Sequence, residues 1–141
     1  MKVLVVDDVA AVRTRVAAML GEVPGVEAVI QADCAARALV RLRLDAPEIV
    51  VLDLHLRGES GMTFAPVVKR ERPDAILIVL TNDPSEHHRR QCIARGADYF
   101  FDKSGDFGRV VAVVSAAIAR RSAAEVLRAG GDRPTGESGS R

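Results

Sequence analysis

Short apolar runs alternate with longer amphipathic stretches along this chain, and the alternation repeats five times. Three of the runs consist of β-branched residues and leucine, as in strands that are buried on both faces: 3–6, 49–52 and 76–80. Two weaker strand candidates cover residues 26–32 and 98–101. Alternating strands and helices predict an α/β fold, in which a doubly wound parallel sheet of five strands carries helices on both faces.

The stretches between the strand candidates place apolar residues at three- and four-residue steps, which predicts helices. Ser85 suits the N-cap of the fourth helix, and Pro73 ends the third. Gly130–Gly131 ends the last helix, and residues 132–141 contain too few apolar groups to fold. The pattern of the last helix can be followed to Leu127, and the five predicted helices cover 9–20, 34–44, 62–72, 85–95 and 107–118.

Composition excludes several classes of function. The 141 residues suffice for one ordinary domain, and 20 Lys and Arg against 19 Asp and Glu leave a formal charge of +1. This balance excludes binding to nucleic acid or an anionic membrane that is driven by bulk charge. The Arg-rich helix faces also lack the interleaved aromatic residues that stack on bases. We therefore expect no direct DNA binding.

The amino-terminal apolar run is too short for a signal peptide or a membrane span, because Asp7 and Asp8 interrupt it after Val6. Cys34 and Cys92 are far apart and form no CxxC pair, which is typical of reduced thiols rather than of a disulfide or a zinc site. We predict a cytoplasmic protein without membrane insertion.

The residues that follow the predicted strands form the candidate site, because ligands of doubly wound sheets bind beyond the carboxyl ends of the strands. Asp7 and Asp8 follow the first strand, and Asp53 follows the third. Thr81 follows the fourth strand, and Lys103 lies just after the fifth. We expect these five polar or ionisable groups on one rim of the sheet.

Three carboxylates on one rim repel one another. Two unit charges about 4 Å apart cost about 1 kcal/mol in water and about 4 kcal/mol at an effective dielectric constant of about 20. Mg²⁺ suits such a cluster, because it prefers oxygen ligands and is commonly held by one or two carboxylates, waters and a phosphate. The alternative is that Asp7 and Asp8 cap the first helix at its positively polarised N-terminus.

Lys103 and Thr81 also have two interpretations each. The chain contains 17 Arg but only three Lys, and an ammonium is a compact charge that can sit beside a carboxylate or a phosphoryl oxygen. The alternative for Lys103 is a solvated surface group. The hydroxyl of Thr81 is expected beside Asp53, where it could donate to a phosphoryl oxygen, but threonine is also common in strands for packing reasons.

Taken together, these motifs resemble the receiver domain of bacterial response regulators, the CheY-like family. They are VVDD at 5–8, Asp53 after IVVL, Gly61, LT at 80–81 and GADYFFDKS at 96–104. The resemblance covers roughly residues 1–121 and implies a flavodoxin-like (βα)5 fold with strand order 2-1-3-4-5. We expect one receiver domain over 1–121, followed at 122–141 by a helix extension and a flexible polar tail.

The resemblance implies a phosphoacceptor of two-component signalling. Asp53 would take a phosphoryl group from a phosphohistidine on a sensor histidine kinase or a histidine phosphotransfer protein. Asp8, Asp53 and the backbone carbonyl of His55 would bind Mg²⁺ directly, and Asp7 would bind it through water. The chain would be no enzyme beyond Mg²⁺-dependent phosphotransfer to itself and its own dephosphorylation.

The resemblance also implies switch residues. Lys103 would pair with the acceptor carboxylate and then with the phosphoryl group, Thr81 would swing toward that group, and Phe100 would turn into the space that Thr81 leaves. These assignments agree with the chemistry, because phosphoryl transfer depends mostly on positioning and on neutralising charge.

Three positions depart from the common family pattern. Arg57, Asn82 and Ser104 stand where a proline, a small residue and a second proline are usual. None removes a proposed catalytic group, but they leave the lifetime of the phosphorylated state open. His87 and His88 are adjacent on a predicted helix, point about 100° apart and cannot both face one ion, so we interpret them as a solvated helix start.

We predict a stand-alone phosphorylation switch, a monomer or weak dimer, whose downstream protein target the sequence does not identify. Its output surface would comprise the fourth helix, the fifth strand and the fifth helix, around 87–90, Phe100 and Arg109. The alternatives are a phosphorelay intermediate or phosphate sink, and a receiver-like interaction module that is never phosphorylated. A Mg²⁺-dependent phosphatase is disfavoured, because no second Asp stands two residues after Asp53 or Asp7.

Overall fold

The computed structural model describes residues 1–131, in which five parallel strands form the main sheet. The sheet strands are β1 (Lys2–Val6), β2 (Ala28–Ala32), β3 (Ile49–Asp53), β6 (Ile76–Thr81) and β7 (Tyr99–Asp102). They are arranged β2-β1-β3-β6-β7, which is the order 2-1-3-4-5 when only the strands of this sheet are counted. The predicted flavodoxin-like α/β fold is confirmed.

Five helices cover the two faces of the sheet. They are α1 (Ala10–Gly21), α2 (Ala35–Asp45), α3 (Gly61–Glu71), α4 (Glu86–Ala94) and α5 (Phe107–Gly131). Buried residues of α1 and α5 belong to one apolar cluster, and those of α2, α3 and α4 belong to another on the opposite face. The sheet therefore lies between two apolar layers, as expected for a doubly wound fold.

Strand β1 shows why the strand sequences are continuously apolar. Val3 and Val5 belong to the cluster with α1 and α5, whereas Leu4 and Val6 belong to the cluster with α2 and α3. All four side chains are at least 98% buried. Successive strand residues point to opposite faces, so a strand covered on both sides leaves no position for a polar residue.

The register of the strands brings their carboxyl ends to one edge. Val6 lies opposite Leu52, so Asp7 and Asp53 follow next to each other. The backbone N–H of Lys103 donates to the carbonyl of Thr81 at 2.8 Å, which extends the pairing of β6 and β7 by one residue. The predicted placement of polar residues on one rim therefore follows from the parallel pairing.

A short hairpin that the sequence did not predict follows strand β3. It consists of β4 (His55–Leu56) and β5 (Glu59–Ser60), joined by a turn in which Gly58 has a φ of 80°. Gly61 then packs against the preceding strand, because a Cβ there would lie 2.1 Å from the carbonyl oxygen of Asp53. The hairpin thus returns the chain tightly past the end of β3.

The structure corrects several element boundaries. α1 begins at Ala10, and β2 begins at Ala28 rather than at residue 26. The predicted end of the last helix at Gly130–Gly131 agrees with α5, which continues to Gly131, and its residues 122–130 are exposed. The predicted polar tail, 132–141, lies outside the described residues. None of the helices within 1–131 combines the length and the apolar character needed to cross a membrane.

Candidate functional site

Only four polar or charged residues are buried within the part of the chain that the structure describes, and they lie at the carboxyl edge of the sheet. They are Asp7, Asp53, Thr81 and Lys103. Each follows or ends a different strand: β1, β3, β6 and β7. Burying polar groups costs free energy unless they are paired, so a concentration of them in one place is typical of a functional site.

Lys103 joins two of the carboxylates. Its Nζ lies 2.8 Å from Asp7 Oδ2 and 3.1 Å from Asp53 Oδ2. Burial alone would lower the pKa of Lys103, but the hydrogen bond to Asp7 and the charges of Asp53 and Asp7 outweigh burial and raise it. The side chain is therefore a fixed ammonium at neutral pH, and the alternative of a solvated surface lysine is wrong.

Asp53 is a buried carboxylate in a crowded site. Burial raises its pKa, and the negative charge of Asp7 raises it further, against the opposing effects of the His55 backbone N–H and of Lys103. That N–H donates to Asp53 Oδ1 at 3.1 Å, while Oδ2 faces Lys103. Each carboxylate oxygen of Asp53 thus has a separate partner that fixes its direction.

Three carboxylates can offer oxygen atoms to one cation. Ligand atoms of Asp7, Asp8 and Asp53 all lie within 4.8 Å of one another. Asp8 is only partly buried, so the cluster is open to solvent on its side. Three carboxylates against the single ammonium of Lys103 leave negative charge uncompensated, and a hard divalent cation such as Mg²⁺ fits both the charge and the oxygen donors.

The interpretation of Asp7 and Asp8 as helix caps is wrong. The N-cap of α1 is Val9, and no side chain caps that helix by a hydrogen bond. Asp7 Oδ1 instead accepts from the backbone N–H of Val9 at 2.9 Å, while its Oδ2 accepts from Lys103. The local turn directs Asp7 into the acidic cluster rather than onto the helix.

Thr81 and Phe100 occupy neighbouring strands. Thr81 is fully buried, and its Oγ1 accepts from the backbone N–H of Asp83 at 3.0 Å. Phe100 is partly buried against the cluster formed with α2 and α3, whereas Tyr99 and Phe101 stack on the opposite face. The structure thus brings Thr81 to the rim and places Phe100 within β7, on the α4 side of the sheet.

The amino-acid sequence matches a known protein family over most of its length. The sequence pattern described as the response regulator receiver domain matches residues 3–130. The chain belongs to this family. Receiver domains of response regulators act in two-component signalling.

Relatives of this receiver domain include longer proteins. Response regulator GacA of Pseudomonas aeruginosa is 30% identical over 113 residues, which are 80% of this chain and 53% of GacA. Protein-glutamate methylesterase/protein-glutamine glutaminase 2 of Xanthomonas campestris pv. campestris is 35% identical over 78 residues, 55% of this chain and 22% of that protein. The chain spans about half the length of GacA, and less of the methylesterase.

Solved structures are similar over most of the receiver domain. A LuxR-family response regulator from Aurantimonas sp. SI85-9A1 has a TM-score of 0.76 at 26% identity, covering 84% of both chains. A response regulator from Burkholderia pseudomallei, whose crystal contains a phosphorylated aspartic acid, a calcium ion and citrate, has a TM-score of 0.74 at 28% identity. That match covers 90% of this chain and 74% of the other.

Two features of the receiver domain escaped the sequence analysis. Arg57 and Cys34 line a cavity of about 220 Å³ next to Asp8, together with Asp33 and Arg37. Asp83 and His88 form a contact beside Thr81, and the ring of His88 also approaches His55. Each grouping joins a short local segment, 33–37 or 83–88, to the hairpin after β3, and no spacing in the sequence reveals that approach.

Proposed function

We propose that this receiver domain is a phosphoacceptor of a two-component phosphorelay, and that Asp53 receives a phosphoryl group from a phosphohistidine. The donor would be a sensor histidine kinase or a histidine phosphotransfer protein. The observation that carries the proposal is the pairing of a buried acidic cluster with the single buried ammonium of Lys103, 3.1 Å from Asp53 Oδ2. The phosphorylated aspartic acid of the Burkholderia pseudomallei relative supports it.

In the transfer step, a carboxylate oxygen of Asp53 attacks the phosphorus. The new O–P bond forms as the N–P bond of the phosphohistidine breaks, and the leaving imidazole keeps the electron pair and takes up a proton. Lys103 neutralises part of the charge on the transferred group, and the His55 N–H holds the carboxylate in a fixed direction. Positioning and charge stabilisation are the main protein contributions to such transfers.

A divalent cation completes the proposed site. Asp8, Asp53 and the backbone carbonyl of His55 would hold Mg²⁺ directly, and Asp7 would hold it through water. When bound, Mg²⁺ would neutralise phosphoryl and carboxylate oxygens together. The partial exposure of Asp8 leaves an open approach on that side of the cluster.

The proposed switch connects the acceptor to the surface of the molecule. The hydroxyl oxygen of Thr81 accepts from Asp83, so its own hydrogen remains available for a phosphoryl oxygen. Movement of Thr81 would leave space for Phe100 to turn inward, which alters the surface of α4, β7 and α5. We propose that a cytoplasmic protein target contacts this surface, and that the receiver domain itself ends near residue 121, before the exposed part of α5.

The test is phosphorylation by a small donor. Protein incubated with acetyl phosphate and Mg²⁺ should gain the mass of one phosphoryl group, and EDTA should prevent the gain. Asp53→Asn should gain none, whereas Asp33→Asn, on an exposed pair with Arg37, should react like the wild type. An equal gain in Asp53→Asn, or no gain in the wild type, would contradict the proposal.

A second measurement separates a switch from a relay. Two-dimensional NMR spectra with Mg²⁺ are compared before and after adding beryllofluoride, a phosphoryl analogue. Shifts that extend from the rim to Phe100 and α4 support a switch with an output surface. Shifts confined to the rim favour a relay intermediate, and the absence of any shift favours an interaction module that is not phosphorylated.

A further inference from the structure

The rings of the three histidines of the chain lie near one another. His55 is on the hairpin that follows β3, and His87 and His88 are in the first turn of α4. The ring centroids of His55 and His88 are 6.4 Å apart with the ring planes at 79°, and those of His87 and His88 are 6.0 Å apart. The approach of His55 to His88 joins two elements that are distant in sequence.

Asp83 fixes the orientation of His88. The Nδ1 atom lies 3.3 Å from Asp83 Oδ2 and 3.2 Å from the Asp83 carbonyl oxygen. Both oxygens are acceptors, so Nδ1 carries the hydrogen of the neutral ring and Nε2 keeps a lone pair. A carboxylate on one ring nitrogen with the other left as a ligand is the arrangement that orients histidines in metal sites.

His55 can supply the second nitrogen. Within residues 1–131, its hydrogen bond to Asp53 is made by the backbone N–H, and its side chain is exposed. An exposed side chain changes rotamer readily. The ring can therefore reorient without disturbing the contact between the His55 backbone and the acidic cluster.

We propose that His55 and His88 form a binding site for a transition-metal ion of the Zn²⁺ class, oriented by Asp83 and separate from the acidic cluster. Imidazole nitrogen suits Zn²⁺, Ni²⁺ and Cu²⁺, whereas Mg²⁺ selects oxygen ligands, so the two sites select different ions. Tetrahedral binding with Zn–N bonds of about 2 Å places two imidazole centroids about 5 Å apart. His55 has to approach His88 by about 1 Å to reach that separation.

His87 is excluded from this site and provides a matched control. Adjacent helix residues point about 100° apart, so His87 and His88 do not direct their rings to one ion. His87 is exposed, and the carboxylate of Asp83 contacts His88 rather than His87. Because the Asp83 carboxylate lies on the Nδ1 side of His88, water would complete the coordination on the Nε2 side.

Such an ion would join two segments that adjoin the proposed acceptor and switch residue. The His55 N–H donates to Asp53, and the Asp83 N–H donates to Thr81. Bridging His55 and His88 would tie the loop after β3 to the start of α4, independently of phosphorylation. The inference concerns side chains that the proposed phosphotransfer does not use, and so it does not depend on that function.

The test is a Zn²⁺ titration of the full chain, prepared without a histidine tag and with excess Mg²⁺ to occupy the acidic cluster. Calorimetry should show one Zn²⁺ per chain. His88→Ala and His55→Ala should each weaken binding at least about tenfold, and Asp83→Asn about tenfold. His87→Ala, which alters only the neighbouring ring, should change the affinity by less than about twofold.

An NMR measurement identifies the ligand atoms directly. The chain has only three histidines, so a long-range ¹H–¹⁵N spectrum contains three imidazoles. Zn²⁺ should shift one ring nitrogen of His55 and the Nε2 of His88, and leave His87 unchanged. Binding that survives His88→Ala, a shift of His87 in place of His55, or no binding at millimolar Zn²⁺ would overturn the inference, while Mg²⁺-dependent phosphorylation of Asp53 would be tested separately.

Discussion

The two ends of the β-sheet both carry charged residues, but they use them differently. At the amino end, Glu48 accepts from the Lys2 backbone N–H and forms an ion pair with Arg121, and both side chains are partly exposed. At the carboxyl end, Asp7, Asp53 and Lys103 are buried, and acidic groups outnumber basic ones. The charges at the amino end are paired, whereas the carboxyl end keeps an excess of negative charge.

The pKa values of Glu48 and Asp53 shift in opposite directions, in agreement with this difference between the two ends. Burial tends to raise the pKa of Glu48, but the Lys2 N–H and Arg121 outweigh burial and lower it. Burial likewise tends to raise the pKa of Asp53, and its partners do not overcome burial and the charge of Asp7. A carboxylate that is under-compensated in the folded chain is suited to receive a cation and a phosphoryl group.

Of the substitutions that distinguish the two ends of the sheet, Lys103→Met is expected to change the free energy of unfolding most. The substitution leaves two buried carboxylates without their ammonium, and breaking a buried ion pair in this way costs about 3 kcal/mol. Urea unfolding in EDTA should show this loss in the free energy of unfolding. Mg²⁺ should restore part of it, because the cation replaces some of the missing charge; stability equal to the wild type in EDTA would show that Lys103 does not balance the cluster.

The second-largest loss of stability is expected from a substitution at a backbone contact at the carboxyl end of the sheet. Gly61→Ala places a Cβ 2.1 Å from the Asp53 carbonyl oxygen, so the hairpin must move, at a cost of about 2 kcal/mol. Gly108→Ala is the matched control, because nothing lies within 4 Å of a Cβ there. Thermal unfolding should separate the two variants. Equal stability would mean that the hairpin yields without cost.

Removing the negative charge of Asp53 is expected to stabilise the protein in the absence of metal. Asp53→Asn keeps the shape of the side chain and removes one of the crowded negative charges, which should raise the free energy of unfolding by about 1 kcal/mol. Mg²⁺ should raise the unfolding temperature of the wild type and not that of the variant, because binding to the folded state stabilises it by mass action. A destabilised Asp53→Asn in EDTA would show that the carboxyl end is balanced after all.

The smallest effect is expected at the amino end, from Glu48→Gln. The pKa of Glu48 is lowered in the folded chain, so its contribution is present above the ordinary glutamate pKa and is lost as the pH falls through the folded value. At pH 7 the variant should be less stable by at most about 1 kcal/mol, because solvent screens the partly exposed ion pair. Stability curves of the two proteins should converge once the pH has fallen below the lowered pKa of Glu48; a difference that persists there would assign the effect to packing.

The sequence predicted the parts of the molecule that depend on periodicity. Runs such as Ile49–Asp53 are fully apolar up to their last residue because both faces of β3 are covered, and the polar residue that ends each run reaches the common rim. The strand order needed the family resemblance, because five alternating elements are compatible with several arrangements.

Other features could not be predicted because they depend on packing between distant segments. The strands β4 and β5 have only two residues each, which is too short for a period to show. The contact between His55 and His88 requires the hairpin and α4 to be neighbours, and no spacing within the sequence reveals that. Helix α5 reaches Gly131, in agreement with the prediction that Gly130–Gly131 ends it, although its apolar period can be followed only to Leu127.

The central position of β3 has a consequence for how the molecule communicates. With two strands on either side, the backbone of β3 has no free edge with which another protein could pair. A chemical event at Asp53 can be sensed from outside only through an intermediary, whether a loop above the rim or a side chain at the periphery of the sheet. A partner protein must therefore contact residues that surround Asp53 rather than the aspartate itself.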